Sequence, residues 1–216
     1  ITSAGVPDAD PGLVSESCEF LIMVPPTGAF DRTAALLDDS IARHPDAIDK
    51  RYTRANLRFL GRKLDEAEAD ANDVLNAPLL NTSFLAQIQF SLKQQAAALL
   101  VDIAHLRWES APEGERAAAL AAVEKARDRL TSMGLDANTP LVIRADAKIA
   151  YSKGDYARAT TLFEKLANDP AGRNEEVLRY SAECLERVGE MGLAYSRLTS
   201  AMKMQPYSAR LTYHKA

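Results

Sequence analysis

The sequence predicts an all-α chain made of short antiparallel helix pairs stacked in series. Three observations carry this expectation. Apolar residues recur at helical spacing, as in Ile143, Ala147 and Ala150 or Leu178, Ala182 and Leu185, and such stripes mark the inward face of a helix. Gly61, Gly154 and Gly189 interrupt the stripes within pairs, while Pro45, Pro78, Pro170 and Pro206 close them. Ala159 and Ala194, at equivalent places in two pairs, lie 35 residues apart.

Composition supports the same class. With 216 residues, 47% of them hydrophobic, the chain can bury a full core, and one elongated domain is expected. Alanine and leucine are abundant and β-branched residues sparse, which favours helix. The net charge of −4 gives no reason to expect nucleic acid or a membrane surface. No apolar run approaches the ~18 residues of a spanning helix. Cys18 and Cys184 are expected as reduced thiols, one packed on a helix. The chain begins at Ile1 rather than Met, as a processed product or a piece of a longer protein would. A cytoplasmic location is expected, with export after removal of a leader as the alternative.

Residues 1–28 are polar and rich in Gly, Pro and Ser, apart from Phe20-Leu21-Ile22-Met23-Val24 before Pro25-Pro26. Five apolar residues before two prolines suit an extended segment, read as a strap along the first helices or as a self-ligand in a groove. Residues 29–206 form the helical domain. Ala34, Leu37 and Ile41 line a helix from Phe30 to His44. From Asp46 to Pro78, Tyr52, Ala55 and Phe59 pack in one helix and Ala67, Ala71, Val74 and Leu75 in the next. The turn Gly61-Arg62-Lys63-Leu64 is one residue longer than Gly154-Asp155-Tyr156, so the first-helix register is open by one. Arg51, Arg54, Arg58 and Arg62 form a stripe, and Asp65, Glu66, Glu68 and Asp70 complement the next helix's dipole.

Asn81 or Thr82 can cap a helix of about 26 residues through Phe84, Ile88, Leu92, Ala96, Leu99, Ile103 and Leu106. After the loop Ser110–Gly114, a partner helix runs from Arg116 to Met133 and ends at Gly134. This enlarged central hairpin reads as an extended core, a dimerisation arm or a docking site. Ile143, Ala147 and Ala150 then line a helix stopped by Gly154, and Asp155 can cap the next, whose face is Ala159, Leu162, Phe163 and Leu166. The final pair carries Leu178, Ala182 and Leu185, then Ala194, Leu198 and Ala201. Residues 207–216 are a cap or tail.

The combination of Ala147, Gly154, Tyr156, Ala159, Phe163 and Pro170, repeated at a spacing near 34 residues, resembles the tetratricopeptide repeat family. The likeness is good over 140–206 and fair over 46–78. It implies a tetratricopeptide-like helical-hairpin solenoid, a right-handed superhelix whose first helices line a concave, peptide-binding face. On that face the resemblance places Arg144, Lys148 and Tyr151, then Arg179, Glu183 and Glu186, and in the first full pair Tyr52 and Asn56. Arg and Lys can give charge-assisted bonds to carboxylates and an Asn amide can bond a peptide backbone. Asn56, Arg144 and Lys148 partly echo the family's clamp for a C-terminal carboxylate, although the enlarged unit lies between them. Mutual pairs such as Arg179–Glu183 are the competing reading.

No chemical motif competes with this. His44, His105 and His214 do not sit at metal-ligand spacing, and no phosphate loop, nucleophile elbow or HExxH is present. Acid pairs such as Asp38-Asp39, Asp65-Glu66 and Glu175-Glu176 read as solvated helix faces. The expectation is therefore a non-catalytic interaction module, without cofactor or metal, whose partner is another protein or peptide. A homodimer or docking through the long hairpin is the alternative. An anion or RNA surface on the arginine stripe is a minor reading that the overall acidity opposes.

Overall fold

The computed structural model describes residues 29–79 and 83–204, with side chains over 32–79 and 84–204. The readings for residues 1–28, including Cys18, for Asn81 and Thr82 and for the tail 207–216 lie outside the described residues. Among those described there are nine α-helices and no strand: α1 (Ala29–Arg43), α2 (Ile48–Leu60), α3 (Leu64–Asn76), α4 (Ser83–Ser110), α5 (Arg116–Thr131), α6 (Pro140–Ser152), α7 (Tyr156–Asn168), α8 (Glu175–Arg187) and α9 (Met191–Met204). A 3₁₀ turn at Glu113–Glu115 precedes α5. No helix among the described residues is long and apolar enough to cross a membrane. The chain forms two compact units, Ile1–Ile103 and Ala104–Ala216, whose boundary falls inside α4.

In the first unit α1 packs on α2 and α2 on α3. Leu37, Ile41, Ala55, Leu57, Ala67, Ala71 and Val74 are buried; Leu57 joins this core, whereas the predicted Tyr52 and Phe59 are only half-buried. The α2–α3 turn settles the register. Gly61 has an ordinary φ of −75°, and Arg62 takes the left-handed position with φ 63°. Lys63 N–H bonds the Arg58 carbonyl at 2.8 Å and Arg62 N–H that of Phe59 at 3.0 Å, the paired bonds of a Schellman stop. In α6 and α8 the same bonds run from Asp155 to Ala150 and from Glu190 to Leu185. Arg62 therefore corresponds to Gly154 and Gly189. Tyr52 and Asn56 fall in the register of Arg144 and Lys148.

The arginine stripe is not an open anion surface. Arg54 donates to both oxygens of Asp70 at 2.9 and 2.6 Å, and Arg58 to Asp70 Oδ2 at 2.7 Å. Arg54 also reaches Asp38, Arg58 reaches Glu66 and Arg51 reaches Asp73. Asp70 is only 2% exposed, so it lies under two guanidinium groups instead of serving the helix dipole. Lys50 Nζ donates to Ser40 Oγ at 2.9 Å, and Lys93 Nζ reaches the carbonyls of Leu75, in the last turn of α3, and of Ala77, just after it. Each of these buried side chains thus has hydrogen-bond acceptors, which burial of a polar group requires.

In the second unit α5 packs on α6, α6 on α7, α7 on α8 and α8 on α9. One cluster contains Ile143, Ala147, Ala150, Ala159, Phe163, Leu166, Val177, Leu178, Tyr180, Cys184 and Ala201. The alanines at the crossings allow close helix approach, while Phe163 fills the remaining volume; truncating such a ring costs ~3–5 kcal/mol. Pro140 begins α6, where its missing N–H is harmless. Asp155 accepts from Arg158 N–H and Asn174 from Val177 N–H, so the caps of α7 and α8 close as their residue types suggest, whereas Thr139 before α6 makes no side-chain cap bond. Gly154 (φ +75°) ends α6 as expected.

The long helix departs from a single-stripe reading. Ala96 through Leu106 are buried without interruption, whereas Phe84, Leu85, Ile88 and Phe90 are exposed. Its first turns hold apolar side chains in solvent, its middle turns from Ala96 to Leu106 are covered on every side, and its last turn is half-buried.

Candidate partner-binding surface

Five of the residues expected on a binding face come together on α6 and α8: Arg144, Lys148, Tyr151, Arg179 and Glu183. Helical spacing puts the first three on one side of α6 and the last two on one side of α8. Their state is more enclosed than the sequence suggests. Lys148 is 1% exposed and Arg179 5% exposed. Lys148 Nζ donates to Glu176 Oε1 at 2.9 Å. Arg179 Nη1 donates to Glu183 Oε1 at 2.6 Å, within the i,i+4 pair foreseen as the competing reading. Tyr151 donates its hydroxyl proton to Glu183 Oε2 at 3.0 Å, so that carboxylate receives bonds on both oxygens. Arg144, Tyr151 and Glu183 are half-buried.

Glu176, expected on a solvated face, is a fixed counter-ion. Burial alone would raise its pKa. The Lys148 cation, helped by Arg144 and Arg179, overrides that and holds it below the usual carboxylate range.

Behind these pairs lies a polar network that the sequence did not single out. His105, at the end of α4, is 1% exposed. Its Nε2 lies 3.0 Å from the Tyr180 hydroxyl and its Nδ1 3.1 Å from Ser152 Oγ. Tyr180 donates to Glu109 Oε1 at 2.6 Å. The imidazole bridges two hydroxyls whose protons are directed elsewhere, Tyr180 to Glu109 and Ser152 to the Lys148 carbonyl at 2.9 Å, so each oxygen can accept from the ring nitrogen that carries the hydrogen. Burial, reinforced by the Lys148 cation, pushes His105 down to about 3, although Glu109 and Glu176 pull the other way. The imidazole is therefore neutral.

Aromatic rings fill the space between. Tyr180 stacks on Phe163 at 5.3 Å, meets Tyr151 edge-on at 5.2 Å and lies under the Arg179 guanidinium at 4.1 Å. Trp108 stacks on His105 at 5.4 Å. The i,i+4 spacing of His105 and Glu109 was the one available signal, but it carries no information about Tyr180, 75 residues away.

Tyr52 and Asn56 lie on α2 of the first unit. Asn56 Nδ2 donates to the Tyr52 carbonyl at 3.0 Å. No group of three or more His, Cys, Asp or Glu residues suited to a metal ion is found among the described residues. Cys184 is a buried free thiol whose pKa burial pushes up to about 12, so it is a poor nucleophile.

What the arrangement offers chemically is a surface of fixed charges. The buried pairs hold the α6 and α8 backbones and leave the edges of Arg144, Tyr151, Glu183 and the exposed Glu186 to solvent.

No family model and no curated protein matches the sequence. The fold is similar to that of a thermophilic TPR protein in Thermus thermophilus known from a crystal structure, with a TM-score of 0.67 and 11% sequence identity over 94% of this chain and 95% of that one. At that identity the likeness is one of fold, and it agrees with the helix pairs and their Gly-terminated turns: the chain has a tetratricopeptide-like helical-hairpin solenoid fold.

Proposed function

We propose that this chain is a non-catalytic protein–protein interaction module that holds a segment of a partner protein or peptide against the first helices of its pairs. The observation that carries the reading is the α6–α8 face, where Lys148–Glu176 and Tyr151–Glu183–Arg179 fix charged side chains before any ligand arrives. A preordered surface loses less side-chain entropy on binding. Arg144 is the residue of that face best suited to a partner's carboxylate. Lys148 and Arg179 act as the frame that positions it, since a ligand would have to displace their internal partners. Tyr52 and Asn56 are the corresponding candidates on α2.

The test is affinity capture from source lysate with the full chain and with Arg144→Glu, both checked for unchanged helicity by circular dichroism. Loss of a specific partner from the variant supports the reading, and an unchanged set of partners refutes it.

A second reading has its own observation. Phe84 is 72% exposed and Leu85, Ile88 and Phe90 are exposed with it, so the start of α4 presents apolar groups on more than one side. That suits docking or homodimerisation through the long helix. Sedimentation of the chain and of Phe84→Ser/Ile88→Ser decides it: a concentration-dependent dimer lost in the variant supports this route, and a monomer in both removes dimerisation.

A further inference from the structure

The final helix pair repeats the geometry of the pair before it, down to the groove that receives the next helix. In the register set by Gly154 and Gly189, α6 residues Ala147, Lys148 and Tyr151 correspond to α8 residues Ala182, Glu183 and Glu186. Ala159 and Phe163 on α7 correspond to Ala194 and Leu198 on α9. The α6–α7 groove is filled. Helix α8 sits in it, with Tyr180 against Phe163 and Tyr151 and with Glu176 bonded to Lys148. The corresponding groove between α8 and α9 holds about 170 Å³; its apolar lining is Ala182, Met191, Ala194, Tyr195 and Leu198, with the paired Arg179 and Glu183 and the exposed Glu186 at its charged side. A cavity of roughly 150 Å³ accepts a benzene-sized group, so this groove has room for a large apolar side chain. Met191 and Tyr195 at its edge are 62% and 66% exposed.

The charges on the two seats are reversed. In the filled groove the seat supplies a cation, Lys148, and the seated helix an acid, Glu176. In the second groove the corresponding seat positions carry Glu183 and Glu186. Glu183 already receives bonds from Arg179 and Tyr151, while Glu186 is exposed.

We propose that the groove between α8 and α9 seats an amphipathic helix of another protein, one that places apolar side chains over Ala182, Ala194 and Leu198 and a lysine or arginine beside Glu186. Helix-in-groove recognition uses an apolar stripe for affinity and flanking charges for orientation. This inference rests on the reading of the chain as a protein-binding module and gives the chemistry of a partner at the end of the α6–α8 row.

The experiment is a fluorescence-anisotropy titration of the full chain with a labelled amphipathic peptide of roughly 14 residues, an average helix length, bearing a leucine stripe flanked by lysines. Its twin carries glutamate in place of each lysine. The lysine peptide is expected to bind and the glutamate twin to bind more weakly. Glu186→Lys should weaken the lysine peptide about five-fold, the upper range for one exposed ion pair, and Met191→Ala/Tyr195→Ala, at exposed positions, should weaken both peptides. Lys125→Glu, at an exposed α5 position outside both surfaces, should leave the peptide affinity unchanged, and capture with Arg144→Glu remains the separate test of the α6 face. Equal binding of the two peptides, or no effect of the Met191/Tyr195 changes, overturns the proposal. So does binding that appears only after Leu211→Asp, which would assign the groove to the chain's own tail. Self-association abolished by Glu186→Lys would assign it to a second copy and overturn the proposal too.

Discussion

Tyr180→Phe removes one oxygen and leaves the ring. The ring keeps its stack on Phe163 and its place under Arg179, so packing is conserved and the change isolates the hydroxyl. That hydroxyl makes two bonds, to Glu109 at 2.6 Å and to His105 Nε2 at 3.0 Å. A hydrogen bond to a charged group contributes about 1.5–3 kcal/mol, and a buried donor left unpaired costs about 1–3 kcal/mol. Glu109 retains 20% side-chain exposure, so water replaces part of its lost bond. His105, at 1% exposure, has no such relief. The two effects share one atom and do not add in full, which puts the loss at about 2–3 kcal/mol. For a chain of this size each kcal/mol lowers the midpoint by about 2–4 °C, so thermal denaturation followed by circular dichroism should show a decrease of about 5–10 °C. A decrease under ~2 °C, with helicity unchanged, would mean that the network does not hold α4 and α8 together as the distances imply.

Other expectations follow from the same contacts. His105 is held neutral with its pKa near 3 in the folded state, against about 6.5 when unfolded. The unfolded chain therefore binds the extra proton first as pH falls, and stability should drop by about 2 kcal/mol between pH 7 and pH 5. Urea denaturation at the two pH values reads this, and a slope that persists in His105→Gln would contradict it. Asp70→Ala strips both Arg54 and Arg58 of their shared buried acceptor and should destabilise the first unit by about 3 kcal/mol, toward the low end for a broken buried pair because the arginines are partly solvated. An effect below ~1 kcal/mol in denaturant titration would show that water replaces the acid. Arg62→Gly relieves a left-handed residue and should raise stability by about 0.5–1 kcal/mol, read as a higher denaturation midpoint; a lower midpoint would mean that the arginine side chain outweighs its backbone strain.

The helical pairs were legible because their signals are local. Gly154 followed by Asp155 encodes a left-handed stop and a cap within two residues, and both form as read. Where the local code is ambiguous, reading stops. The turn at Gly61-Arg62 offers a glycine one position early, and the glycine does not take the left-handed place. Glycine is only permissive there; the Schellman bonds to the packed helix select the residue that must adopt it.

Charge was the least legible property. Arg54 and Arg58 read as a basic stripe and Asp70 as a dipole-complementing acid because a helical pattern reports which residues share a face. It does not report what the face meets. Lys148 and Arg179 read as ligand-binding cations on the same ground, and Glu176 as a solvated acid. Their pairing depends on α6 and α8 lying side by side, with the partners 28 residues apart in Lys148–Glu176.

By itself the sequence determined the helix pairs, the repeat spacing, the stops at Gly154 and Gly189 and buried apolar residues such as Ala147, Ala159 and Phe163, since each depends on propensity and period over a few turns, but not the stop at Gly61 or the exposure of Phe84 and Ile88. The tertiary structure alone decided which charges are spent inside the protein, that His105 is neutral beneath Tyr180, and that one groove is filled by a helix while its counterpart remains lined by exposed Met191 and Tyr195. Those outcomes depend on distances between segments far apart in the chain, where burial and a neighbouring charge change the energy of an ion by several kcal/mol.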